Sequence, residues 1–233
     1  MIPKVIHYCW FGPKPFSRTV RKCIATWHKH LSDYEFCLWN EDTCANYAAE
    51  HNLPNPMEHP FVKGAYAAKK YAFVADYVRF WALYYCGGVY LDTDMYVVRG
   101  FDELLENDLF VGWETPQKKY VNVAIFGASQ TNICVKDILK QYDTLIFDIE
   151  QLDKLIVPRL ISPLVLSHTK ATIYPYEYFY AFPFEHRQEF NFLDYKKSNS
   201  YALHLWDLSW KPWYQKWLGN VVRMYKYIKS KGK

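Results

Sequence analysis

The chain has 233 residues, 51% of them hydrophobic and 19% aromatic, with a formal net charge of +4. That length suits one domain with ample material for a core. So mild a charge does not carry the electrostatic footprint of a nucleic-acid binder, and no window approaches the ~20 apolar residues of a bilayer span.

"KVIHYCW" (4–10) reads as a buried strand ended by "FGPKP". Ser17 is placed to cap a helix running to His30, with Val20, Ile24, Trp27 and Leu31 on its apolar face. "YEFCLWN" (34–40) is a second strand, which makes a βαβ unit with a right-handed crossover. Such sheets bind ligands beyond the carboxyl ends of their strands, here Trp10–Phe11–Gly12 and Trp39–Asn40. A polar helix over 41–50 and a Pro-rich loop over 54–60 follow, and then one long helix from Ala65 to Tyr85, stopped by Gly87 and Gly88. "VYLDTDMYVV" (89–98) reads as one strand, "LFVGWE" and "VNVAIFGA" as two more, and 131–147 as a helix. The remainder is aromatic and Pro-rich up to a short strand in "YALHLW" (201–206).

The six cysteines are scattered among apolar neighbours with no C-x-x-C pair, which favours reduced thiols. "MIPKVIHYCWFG" is too soon interrupted for a signal peptide, so a cytoplasmic protein is expected. Residues 1–210 are taken as the main domain. No acidic residue follows Asp207, while Lys211, Lys216, Arg223, Lys226 and Lys229 do. On a helix, Trp213, Trp217, Val221, Met224 and Ile228 form one apolar stripe. Residues 211–233 are therefore expected to be a basic amphipathic helix, packed on the domain or lying on an anionic membrane surface.

Asp92 and Asp94 interrupt the apolar run at 89–98. Residues two apart on a strand face the same side, so the carboxylates should aim together, an arrangement that a divalent cation would relieve. Asp76 and Arg79, three apart, share a helix face with Ala72, Phe80 and Leu83. They are either a partly buried structural ion pair or a fork and carboxylate for a hydroxylated anionic ligand. His204 is either a core histidine or a ligand. Asn122 either meets a sugar or completes a strand end. Glu185 and His186 interrupt an aromatic segment and are left without a role.

Together, "IPKVIHYCWFG", "AFVADYVRFWALYYCGGVYLDTDM" and "HLWDLSW" resemble the glycosyltransferases with a sugar-binding region containing a DxD motif. That group is related in its core to yeast α-mannosyltransferases and clostridial glucosylating toxins. The resemblance covers residues 1–130 well and the C-terminal stretch more loosely. It implies an α/β GT-A fold, a UDP- or GDP-sugar donor, Mn²⁺ or Mg²⁺ at the diphosphate, and retention at the anomeric carbon.

Carried over by position, Asp76 and Arg79 match donor-sugar contacts, Asp92 reaches ribose and sugar, and Asp94 ligates the metal. Trp10 and Trp39 fall where the nucleobase lies, and His204, Ser209, Trp210 and Lys211 where the metal and diphosphate site is completed. A histidine among the ligands favours Mn²⁺. "ISPLVL" (161–166) departs from the Thr-Gly-Pro of many members, with Ser162 in place of the glycine. The expectation is a hexosyltransferase acting on a carbohydrate or lipid-linked acceptor in bacterial surface-polysaccharide synthesis. The alternative is a nucleotide-sugar or polysaccharide-binding module without turnover, and a nucleotidyltransferase is a more distant third.

Overall fold

Strand β1 (Val5–Cys9) pairs in parallel with β2 (Glu35–Trp39), and helix α1 (Arg18–His30) connects them, the expected βαβ unit. This is a computed structural model, and it describes residues 1–189 and 191–207. The basic tail, with Ser209, Trp210 and Lys211, lies outside the described residues, as does the membrane surface proposed for it. No helix among those described is long and apolar enough to cross a membrane.

Ser17 caps α1 as its sequence position suggested. Its Oγ accepts from the Val20 N–H at 3.1 Å, and Val20, Trp27 and Leu31 are fully buried. Asn40 caps α2 (Glu41–Glu50) in a reciprocal box with Thr43.

Two expected elements are broken. The helix over 65–85 is two, α3 (Pro60–Ala67) and α4 (Tyr71–Cys86), separated at Lys69, whose φ of 56° is left-handed. The strand over 89–98 ends as β3 (Gly88–Leu91) and resumes as β4 (Met95–Val97) in a different sheet. Strands β5 (Leu109–Trp113) and β6 (Val121–Ala128) form as read. Helix α5 (Ile133–Asp143) is shorter than 131–147. The segment left unassigned supplies α6 (Val157–Ser167) and β7 (Ala171–Tyr174), and β8 (Ala202–His204) closes the described chain.

The main sheet runs β2-β1-β3-β6-β5-β7, with β3/β6 and β5/β6 antiparallel and the other pairs parallel. A second sheet pairs β4 with β8. Apolar side chains fill both faces of the main sheet: Phe80, Phe126, Ile138 and Val165 belong to one cluster, and Ile6, Trp27, Val89 and Met95 to the other. Helix α1 holds β4 directly: Trp27 Nε1 donates to Met95 O at 2.7 Å, and Val97 N–H donates to Thr26 Oγ1 at 3.0 Å.

The glycine pair divides two tasks. Gly87, at φ 66°, stops α4. Gly88, at φ 115°, lets β3 approach β1: a Cβ there would sit 2.6 Å from Val5 O and 2.9 Å from His7 Nε2. His7 is fully buried against this turn. Its Nε2 donates to Gly87 O at 2.7 Å, and its Nδ1 accepts from Trp39 Nε1 at 3.1 Å. A second proton would therefore face an indole N–H.

Burial pushes the imidazole down to about 4, from 6.5. The unfolded chain thus takes up the proton first. Stability from this residue is complete above pH 6.5 and is lost as the pH falls toward 4, by about 3 kcal/mol in all. Urea midpoints of the wild type should fall faster over that window than those of His7→Gln. Parallel profiles would show that His7 does not carry the effect.

Candidate active site

The D-x-D lies in a turn between the two sheets. Strand β3 ends at Leu91, Met95 N–H donates back to Asp92 O at 3.0 Å, and β4 begins there. The expected convergence of Asp92 and Asp94 holds, but the turn produces it, not strand alternation. β8, paired to β4 with Met95 opposite His204, brings the imidazole to the same point. One ligand atom each from Asp92, Asp94 and His204 lies within 4.8 Å of the other two.

His204 Nε2 is 3.3 Å from Asp94 Oδ1, and Asp207 N–H donates to Asp94 Oδ2 at 2.7 Å. Burial raises the Asp94 carboxyl, but the His204 imidazole and the Asp207 N–H outweigh it and hold it below the usual range. Burial lowers His204, yet Asp94, then Asp92 and Glu114, hold it above its ordinary value. The imidazole Nδ1 is buried with no hydrogen-bond partner among the described residues. Two carboxylates and a buried imidazole, each offering one ligand atom to a common point, suit a divalent cation. The Trp206 ring lies against His204, tilted by 35° with centroids 3.8 Å apart, and its backbone has a left-handed φ of 54°, a conformation that bulky residues rarely hold.

Arg79 reaches this site from beneath and is 5% exposed. Its Nη2 donates to Asp76 Oδ1 at 2.6 Å and its Nη1 to Val123 O at 2.9 Å, with Asp92 Oδ1 at 3.4 Å. The guanidinium lies over the Tyr90 ring at 4.5 Å, and the Tyr90 hydroxyl donates to Asp92 Oδ1 at 3.0 Å. Burial pushes the Asp76 carboxyl up to about 7 despite its arginine partner. With its fork engaged by the protein, Arg79 holds Asp76 and Asp92 in place.

The Val123 carbonyl belongs to an irregularity in β6. Val111 faces Phe126, but the next residue of β5, Gly112, faces Asn122, so 123–125 have no partner on β5. Side chains and a loop of the site satisfy this stretch instead. Tyr180 Oη donates to Asn122 O at 2.7 Å and accepts from Ile125 N–H at 3.2 Å. Asn122 Oδ1 accepts from Ala124 N–H at 2.9 Å, and Asp92 N–H donates to Ala124 O at 2.7 Å. Asn122 thus completes a strand irregularity, and Tyr180, unremarked in sequence, is the other support.

The remaining expected contacts are placed as follows. Trp10 is half-buried at the end of β1, its Nε1 donating to Lys14 O at 2.6 Å and its ring edge-on to Phe16. Trp39 is 3% exposed, stacked on His7 and wedged against Tyr47 and Trp81, with no open face for a nucleobase. Ser162 is buried: its Oγ accepts from Val121 N–H and donates to Pro158 O, so it ties β6 to α6. Glu185 and His186 are exposed, and His186 pairs with Glu189 and Tyr195.

Comparison with known proteins finds a family model that matches part of the chain. The sequence model described as "Glycosyltransferase sugar-binding region containing DXD motif" matches residues 17–111. Inositol phosphoceramide mannosyltransferase 1 of Schizosaccharomyces pombe is 30% identical over 125 residues, 52% of this chain and 37% of that protein. Mannosyl phosphorylinositol ceramide synthase SUR1 of Saccharomyces cerevisiae is 28% identical over 120 residues, 50% of this chain and 28% of that one. The chain thus spans well under half the length of these relatives. Among solved structures, the PaToxG glycosyltransferase superposes with a TM-score of 0.52 at 20% identity, covering 70% of this chain and 69% of that one. Over 17–111 the chain is therefore similar to a glycosyltransferase sugar-binding region containing a DXD motif, and its fold is of the GT-A kind.

Proposed function

We propose that the chain transfers a hexosyl group from a UDP- or GDP-sugar to a hydroxyl of a carbohydrate or lipid-linked acceptor, with retention and with Mn²⁺ or Mg²⁺. The observation that carries this is the convergence of Asp92 and Asp94, inside the DXD region, with His204 from β8. Asp94 and His204 would hold the cation with Asp92 beside them. When bound, the cation would neutralise charge on the departing diphosphate.

The protein's own part is positioning. Arg79, Tyr90 and the Ala124 carbonyl fix Asp92, while the Asp207 N–H and His204 fix Asp94. A lipid-linked acceptor is favoured because the relatives are named for acting on inositol phosphoceramide. Those fungal relatives lend no support to a bacterial polysaccharide pathway.

The test is a thermal-shift screen of nucleotide sugars with and without Mn²⁺ or Mg²⁺, followed by donor hydrolysis. A donor at 100 times its Kd should add about 2.7 kcal/mol of stability, easily seen as a raised Tm. Chelator should abolish both the shift and the hydrolysis. No shift with any donor would sink the reading, and a metal-dependent shift without turnover on any acceptor would favour the binding module.

A further inference from the structure

A further carboxylate, Glu114, stands close enough to act on His204 and is bound to Asn122 of the same strand irregularity. It follows the last residue of β5, just past the irregular pairing, and its N–H donates to Tyr120 O at 3.0 Å across the mouth of the β5–β6 loop. Its Oε2 accepts from Asn122 Nδ2 at 3.1 Å. That amide is locked at its other end by the Ala124 N–H, so the direction of its donor is fixed. A carboxylate aimed by a second side chain, itself held by backbone, is how a substrate-contacting group is kept in one geometry.

The bond to Asn122 does not require a charge, since a glutamine oxygen would accept it equally well. The charge is also poorly placed for stability. No Lys, Arg or His forms an ion pair with Glu114 among the described residues. Its electrostatic neighbours are His204, already paired to Asp94, and the carboxylate of Glu185, and burial pushes its own carboxyl upward. Asp92 and Glu114 both act on His204 and on Tyr180, so the acids share one small region. The other oxygen of Glu114 has no hydrogen bond among the described residues, and an ionised carboxylate is a strong acceptor for hydroxyl donors.

We propose that Glu114 contacts the donor, accepting a hydrogen bond from a hydroxyl of the transferred sugar and so helping select which sugar is used. The inference rests on the nucleotide-sugar reading and goes beyond it by assigning a sugar contact outside the D-x-x-R and D-x-D residues.

The experiment is isothermal titration of wild type and Glu114→Gln, each with Mn²⁺, using UDP, GDP and the nucleotide sugar that stabilises the wild type most. The variant should melt with the wild type, bind the nucleoside diphosphate within twofold of it, and bind the nucleotide sugar about tenfold or more weakly. A deoxy series of the same donor gives a readout in the wild type that does not depend on how the variant folds. One deoxy analogue should lose a similar factor in the wild type and lose nothing further in Glu114→Gln.

Unchanged nucleotide-sugar affinity would overturn the proposal. So would an equal loss for diphosphate and sugar, or losses that simply add for every analogue. Absence of any Mn²⁺-dependent nucleotide binding by the wild type would instead overturn the transfer reading beneath it.

Discussion

Arg79→Met should lower the unfolding free energy by about 3–5 kcal/mol, because it leaves the Asp76 and Asp92 carboxylates partly buried without their cation. It also strands the Val123 carbonyl, which nothing on β5 can reach. Lysine should recover only part of this. A single ammonium can meet Asp76 or Val123, whereas the planar fork meets both at 2.6 and 2.9 Å. The sequence left Asp76 and Arg79 open between a structural ion pair and a ligand-binding pair. Burial of the guanidinium favours the first. Guanidinium-chloride midpoints for the two variants measure the loss. Stability within 0.5 kcal/mol of wild type for Arg79→Met would show that the guanidinium holds nothing in place.

Asp94→Asn should do the converse, leaving stability nearly intact while removing metal-dependent turnover by a factor of about 100 or more. The amide keeps an oxygen for the Asp207 N–H, and its NH₂ can face the His204 nitrogen, so the local hydrogen bonds survive. What disappears is the negative charge that a cation requires. Donor hydrolysis in saturating Mn²⁺, with Tm as the control for folding, is the measurement. Wild-type turnover in Asp94→Asn would remove the carboxylate from the chemistry.

Much of the chain was readable where one local signal had no competitor. Ser17 before an apolar stripe gave α1, and the strands on either side of it gave the parallel unit. Asp92 and Asp94 were legible as a pair for a reason that did not survive. A run of β-branched and apolar residues looks the same whether it stays in one sheet or passes from one sheet to another. The break at Lys69 was hidden because lysine gives no warning of a left-handed φ, as a glycine would have.

Trp39 was misjudged from its place at a strand end. The packing of His7 and Trp81 around it is a property of three separate segments. Glu114 and Tyr180 escaped because neither stands in a motif. Each matters through an irregular pairing that only the folded chain creates.

That irregular pairing also bears on how such a protein can diverge. The peptide groups of residues 122–125 rely on Arg79, Asp92, Tyr180 and Asn122 for partners. A lineage that exchanged Arg79 or Tyr180 to suit a new sugar would expose a hole in its own sheet before gaining any new preference. Change by single steps is therefore easier at the rim, where Glu114 and the loop after β5 stand, than at the acidic centre. Variation among descendants of this chain should concentrate there, with the floor of the site inherited as a block.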